Sequence, residues 1–166
     1  MGINLRKTGV ACGAVFASAA LALSTASIGE AASRALIIGG ISTPSMSDTL
    51  MAPLLGGAFK NQQRVSVNWP AQAGPTTGKN HLTLGQSITA GKTNLTTQIN
   101  SALGQLGAGE KVTVVGLSAG SLVVNEVLRD LAANTNAPGK DKITFVVVAD
   151  SSRQNIIDDN AKYRSE

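Results

Sequence analysis

Cysteine is nearly absent from this chain. One occurs in 166 residues, Cys12, inside the apolar opening stretch. The remainder therefore has no disulfide and no thiolate zinc site. Histidine is equally scarce, with His81 alone, so a multi-imidazole metal centre is not expected either, and no metal or cofactor is read from the sequence. Aromatic residues make up 3% and charged residues 14%. The formal net charge of +4 includes Arg6 and Lys7 of the opening stretch, and the other basic residues are scattered. Without a basic cluster interleaved with aromatics, nucleic acid is not an expected partner. There is no P-loop, no dinucleotide fingerprint, no repeat and no heptad pattern.

What is present begins with an export signature. Arg6 and Lys7 precede residues 10–28, which are apolar and small and carry no charge. Gly29-Glu30-Ala31 offers small residues where signal peptidase reads them. Residues 1–31 are expected to be a secretory signal peptide cleaved after Ala31 or Ala32, giving a secreted or cell-envelope protein. An uncleaved anchor is the other reading, since about twenty apolar residues span a bilayer. Gly9 stands three residues before Cys12 where lipidation needs a leucine-like residue. The rest of the chain has the length of one domain and is long enough to bury a core.

Strands and helices alternate along that domain. Residues 35–38 are a continuous apolar run ending in Gly39-Gly40. Ser47 or Asp48 is expected to cap a short helix carrying Leu50, Met51, Leu54 and Leu55. Residues 64–69 alternate as a strand stopped by Pro70, and residues 71–84 are a polar loop holding His81. Residues 86–106 read as a helix with Ile88, Leu95, Ile99, Leu103 and Leu106 on one side, and 107–110 as its terminal turn. Val112, Val114 and Val115 form a buried strand; Leu122, Val123, Val127, Leu128 and Leu131 lie on one face of the helix after it. Residues 143–149 are a further apolar strand. The fold class implied is α/β, a parallel sheet with helices on both faces.

Between the third strand and its helix, Gly116-Leu117-Ser118-Ala119-Gly120 fits G-x-S-x-G. That spacing has a steric reason. A serine in a tight strand-to-helix turn needs small residues, here Gly116 and Gly120, where the two backbones approach. The turn lifts the hydroxyl out of the sheet and aims a helix N-terminus at a reacting oxygen. The simpler reading is a glycine-rich βα turn with Ser118 as a helix N-cap.

In this order, ALIIGGISTP, VSVNWPAQ, LTLGQSITAGKTNLTTQIN, VTVVGLSAGSLVVNEVL and FVVVADSSR resemble the PE-PPE domain family of mycobacterial secreted and cell-envelope proteins. The resemblance covers residues 34–153. Its more specific marks are Gly39-Gly40 with the nearby Thr43-Pro44, the Gly85-Gln86-Ser87 helix start, and the segment from Asp150 to Arg153. There the family's Gly-Asp-Pro-Asn-Arg is altered at Ala149, Ser151 and Ser152. The resemblance implies an α/β-hydrolase fold, a lipid-like carboxylic ester substrate and Ser118 as nucleophile. It also implies an oxyanion hole from the Ala119 N–H and the loop after the first strand, around Ile41, Ser42 and Thr43; for Ser42 and Thr43 simple loop capping is an equal reading. A signal peptide stands where the family's PE or PPE module would.

The base is the difficulty. α/β-Hydrolases order their triad as serine, acid, histidine, and no histidine follows Ser118. Asp150, at a strand's C-terminal end, is a candidate acid, though a turn or cap residue is the preferred reading; Asp158 and Asp159 read as solvated. His81 is a candidate base only in a non-standard order. The polar tail over residues 154–166 suggests an incomplete domain with residues 143–149 as an edge strand. Two functions stand: a secreted serine esterase acting through an acyl-enzyme at Ser118, and an inactive hydrolase-like module binding acyl chains or a cell-envelope partner.

Overall fold

The computed structural model describes residues 33–151. The expected signal peptide with Cys12, and the tail with Arg153, Asp158 and Asp159, lie outside the described residues. Four strands, β1 (Arg34–Ile38), β2 (Gln63–Ser66), β3 (Val112–Leu117) and β4 (Ile143–Val148), form one parallel sheet in the order β2-β1-β3-β4. Among the described residues β2 and β4 are its outer strands, as expected for β4. Helices α1 (Asp48–Met51) and α2 (Leu54–Gly57) lie between β1 and β2, α3 (Leu84–Leu103) between β2 and β3, and α4 (Gly120–Ala133) between β3 and β4.

Alternation along the strands sorts the core into two layers. Leu36, Ile38, Val112, Val114 and Ile143 face α3 and α4, meeting Leu95, Ile99, Ala102, Val123, Val124 and Val127. Ala35, Ile37 and Val115 face the opposite way, against Met51 and Phe59. Both sheet faces are thus covered, one by long helices and one by short elements. Each fully buried Leu, Ile or Val here stabilises the fold by about 1.5–3 kcal/mol. The two long helices meet tightly at Gly91. A Cβ there would lie 3.0 Å from Val123 Cγ2 and 3.3 Å from Trp69 Cβ.

Element boundaries differ from expectation for local reasons. Helix α3 starts two residues earlier because Thr83 caps it. The Thr83 hydroxyl accepts from the Gln86 N–H, and Gln86 Oε1 accepts from the Thr83 N–H at 2.9 Å. This reciprocal pair satisfies two of the helix's unpaired donors. The helix stops at Leu103, with Gly104 as C-cap. Strand β2 leaves the ladder after Ser66, although Val67 and Trp69 remain buried. Ser47 is the N-cap of α1 but makes no side-chain cap bond.

Asp48 is engaged elsewhere. Its carboxylate accepts from Arg64 Nε at 2.7 Å and Nη2 at 2.9 Å, while Arg64 Nη1 reaches the Phe59 carbonyl at 2.9 Å. Arg64 thereby ties α1 and the turn before β2 to β2 itself. The guanidinium hydrogen bonds hold the Asp48 carboxyl below its ordinary range. A carboxyl whose folded-state pKa is lowered contributes stability above its unfolded pKa, near 4, and loses it as pH falls through the lowered value. The stability difference between the protein and Asp48→Asn is therefore expected at neutral pH and should vanish in acid. Urea melts at several pH values check this. The pair is exposed, so the difference is small.

Candidate active site

Strand order reverses between β1 and β3: β1 connects outward to β2 and β3 outward to β4. In open parallel sheets this opens a crevice at the strands' C-terminal ends, between the loops that diverge there. Ser118 follows β3 at that crevice, and Gly39-Gly40 follows β1.

The turn is sterically saturated. A Cβ on Gly116 would lie 2.7 Å from Val124 Cγ2 and 2.9 Å from Ser121 Cα. One on Gly120 would lie 2.5 Å from the Gly39 carbonyl oxygen and 2.7 Å from that of Ile38. Both glycines are thus required where strand and helix backbones meet. Ser118 itself adopts φ 50°, a left-handed conformation costing a non-glycine residue about 1–2 kcal/mol. Its N–H donates to the Val148 carbonyl at 2.8 Å, and its carbonyl accepts from the Ser121 N–H at 2.9 Å and from the Ser121 hydroxyl. The side chain is not a cap: the N-cap of α4 is Ala119, which makes no side-chain bond. Ser118 is exposed, and its hydroxyl has no hydrogen-bond partner among the described residues.

Four of the five left-handed residues other than glycine among the described residues lie in the segments that follow the strands: Ser42 after β1, Ala71 after β2, Ser118 directly after β3 and Ala149 directly after β4, with φ of 60°, 55°, 50° and 51°; the fifth is Leu55 in α2. Such strain persists only where surrounding contacts impose it, and it concentrates at functional sites. The Ser42 N–H donates to the Ala71 carbonyl at 2.8 Å, joining the loops after β1 and β2.

The expected oxyanion donors divide into two groups. The N–H groups of Ser42 and Thr43 are committed, to the Ala71 and Gly40 carbonyls. Those of Gly40, Ile41 and Ala119 have no partner among the described residues. Gly40 lies against the serine: a Cβ on it would sit 3.2 Å from Ser118 Cβ and 3.5 Å from Oγ. The loop register that separates Ile41 from its neighbours has no signature in the sequence.

The structure does not join His81 to this serine by a hydrogen bond. The exposed ring bonds Thr77 Oγ1 through Nδ1 at 3.0 Å, and a Cβ on Gly78 would meet its Nε2 at 2.8 Å. The loop from Gln72 to Leu82 is closed on itself by Leu82 N–H to Gln72 Oε1, 2.8 Å, and Gly74 N–H to the Leu82 carbonyl, 2.8 Å. Asp150 follows β4, its carboxylate accepting from Asn125 Nδ2 at 3.2 and 3.4 Å. Among the described residues no three His, Cys, Asp or Glu side chains gather to hold a metal. A cavity of about 270 Å³ lies at the outer edge beside β2 and α3, lined by Ser66, Asn68, Asn94, Thr97 and Gln98. It is separated from β3 by β1 and contains no group able to activate a hydroxyl.

Residues 60–160 match the PE-PPE domain. SL1278 acyltransferase Chp1 of Mycobacterium tuberculosis is 34% identical over 102 residues, covering 60% of this chain and 24% of that protein. Esterase PE16 of the same organism is 33% identical over 139 residues, 77% of this chain and 25% of its own length. The chain thus spans about a quarter of these relatives. Two solved structures of acetyl xylan esterase superpose with TM-scores of 0.51 and 0.52 at 14% and 17% identity, over 71% of this chain and 63% and 62% of theirs. At that identity the likeness establishes the fold, which is α/β-hydrolase-like. The chain belongs to the PE-PPE domain family.

Proposed function

We propose that this chain is a serine hydrolase of carboxylic acyl esters, with Ser118 as nucleophile. The observation that carries the reading is the conformation of Ser118, a strained, exposed and uncommitted hydroxyl at the switch point of a parallel sheet. Ser118 Oγ attacks the ester carbonyl carbon and gives up its proton, which the departing alkoxide takes up. The carbonyl oxygen becomes the oxyanion, facing the Ala119 N–H and a donor from Gly40 or Ile41. Two such donors supply several kcal/mol of transition-state stabilisation. The alcohol leaves, and water releases the acid from the acyl-serine. The esterase and acyltransferase names of the relatives support ester chemistry on lipid-like substrates. The opening stretch extends the proposal to a secreted or envelope-associated protein.

A second reading is favoured by one observation: no base is hydrogen-bonded to the Ser118 hydroxyl among the described residues. In that reading the domain binds acyl chains or an envelope partner without turning them over. Labelling of the full chain with a fluorophosphonate probe separates the two. Covalent labelling that disappears in Ser118→Ala is expected for the hydrolase. Because no hydrogen bond joins His81 to Ser118, labelling is expected to persist in His81→Ala. A folded chain that takes up no probe sinks the hydrolase reading.

A further inference from the structure

Leu117 and Val148 are register partners, so the residues just after them, Ser118 and Ala149, form two left-handed turns side by side. Helix α4 grips both turns. The Ser121 hydroxyl donates to the Ser118 carbonyl and accepts from the Ser151 N–H at 3.3 Å. One helical turn on, Asn125 donates to the Asp150 carboxylate. Positions 121 and 125 are stacked on one helix face by their spacing. The Ser118 N–H bond to the Val148 carbonyl closes the loop of contacts.

We propose that Ser121 is a positioning residue for the nucleophile, with the Asn125–Asp150 pair as its second tie, so that the turn after β4 sets where the Ser118 hydroxyl points. This rests on Ser118 being the nucleophile. Serine does not hold φ near 50° unaided. The peptide groups on both sides of Ser118 are clamped, the N–H by β4 and the carbonyl by two donors from Ser121. Ser121 is completely buried, so solvent cannot replace its hydroxyl. Removing that hydroxyl leaves the Ser118 carbonyl one donor and the Ser151 N–H no acceptor among the described residues. The turn then relaxes toward an ordinary backbone conformation, and Oγ moves off its line of attack.

The test uses fluorophosphonate labelling of the full chain at several probe concentrations, which separates binding, KI, from bond formation, kinact. Ser121→Ala is expected to lower kinact at least about tenfold with KI unchanged, since small misplacements of a reacting atom are costly. Asn125→Ala should act in the same direction by less, and it carries the test if Ser121→Ala does not fold. Unchanged kinact in the folded fraction, with only a lower melting temperature, would mean an architectural role and overturn the proposal. A chain that takes no probe refutes the nucleophile reading separately. The coupling is then decided by amide hydrogen exchange at Ser118. Faster exchange in Ser121→Ala and Asn125→Ala supports it, and unchanged exchange overturns it.

Discussion

Gly120→Ala is expected to destabilise the domain by about 3 kcal/mol, the upper end for overpacking a tight contact. The added methyl would sit 2.5 and 2.7 Å from the carbonyl oxygens of Gly39 and Ile38. Both are backbone atoms, held by the pairing of β1 with β3. Relief requires that α4 lift off the sheet, which opens the layer containing Val123, Val124 and Val127. A loss of that size is a large fraction of the 5–15 kcal/mol available to a typical domain. Gly85→Ala is the matched control. It lies in the first turn of α3 with nothing within 4 Å of its Cβ position, so it should be neutral or gain up to about 1 kcal/mol. Urea denaturation followed by circular dichroism compares the two. Equal midpoints would mean that α4 does not approach the end of β1 this closely.

Gly40→Val should leave the fold standing and silence the serine. The first added carbon is already tight, 3.2 Å from Ser118 Cβ and 3.5 Å from Oγ, with the Leu117 carbonyl oxygen at 3.6 Å, so the serine side chain must give by a few tenths of an ångström. A valine adds two methyls to that carbon, which is 3.5 Å from a hydroxyl that an ester carbonyl must approach within about 3–3.5 Å to react. Fluorophosphonate labelling is expected to fall by about a hundredfold or more, with the melting temperature changed by only a few degrees. Labelling at the original rate would show that the substrate approaches from the side away from β1, and the Gly40–Ile41 loop would lose its place in the site.

The parts of the fold legible in the sequence were those written in apolar periodicity. Residues 35–38, 112–115 and 143–149 are apolar, β-branched or leucine-rich runs, and each falls on a strand, the last ending at Val148, one residue earlier than expected. The serine turn was legible because Gly116 and Gly120 mark the two backbone contacts that permit it. Helix α3 begins two residues before its apolar periodicity does, and the Thr83–Gln86 spacing of a capping box marks that start. Other features were not legible at all. Ser42, Ala71 and Ala149 are left-handed without being glycine or asparagine, so strain imposed by tertiary contacts leaves no mark in residue type. The same holds for hydrogen bonds that commit Ser42 and Thr43 but spare Ile41. Asp150 reads in the sequence as a turn or cap residue or as an acid, and its hydrogen bond from Asn125, twenty-five residues away, has no signature there.

The dependence of Ser118 on β4 has a consequence for how the molecule is made. Strand β1 must wait for β3, with residue 34 aligned to residue 112, before it has its second neighbour. Such long-range parallel pairing is slow and comes late in folding. The acceptor for the Ser118 N–H is the Val148 carbonyl, thirty residues further along. A growing chain that has emerged only as far as α4 therefore holds the whole G-x-S-x-G sequence without the β4 carbonyl that clamps the Ser118 N–H. Its serine is expected to behave as an ordinary hydroxyl until the last described strand docks.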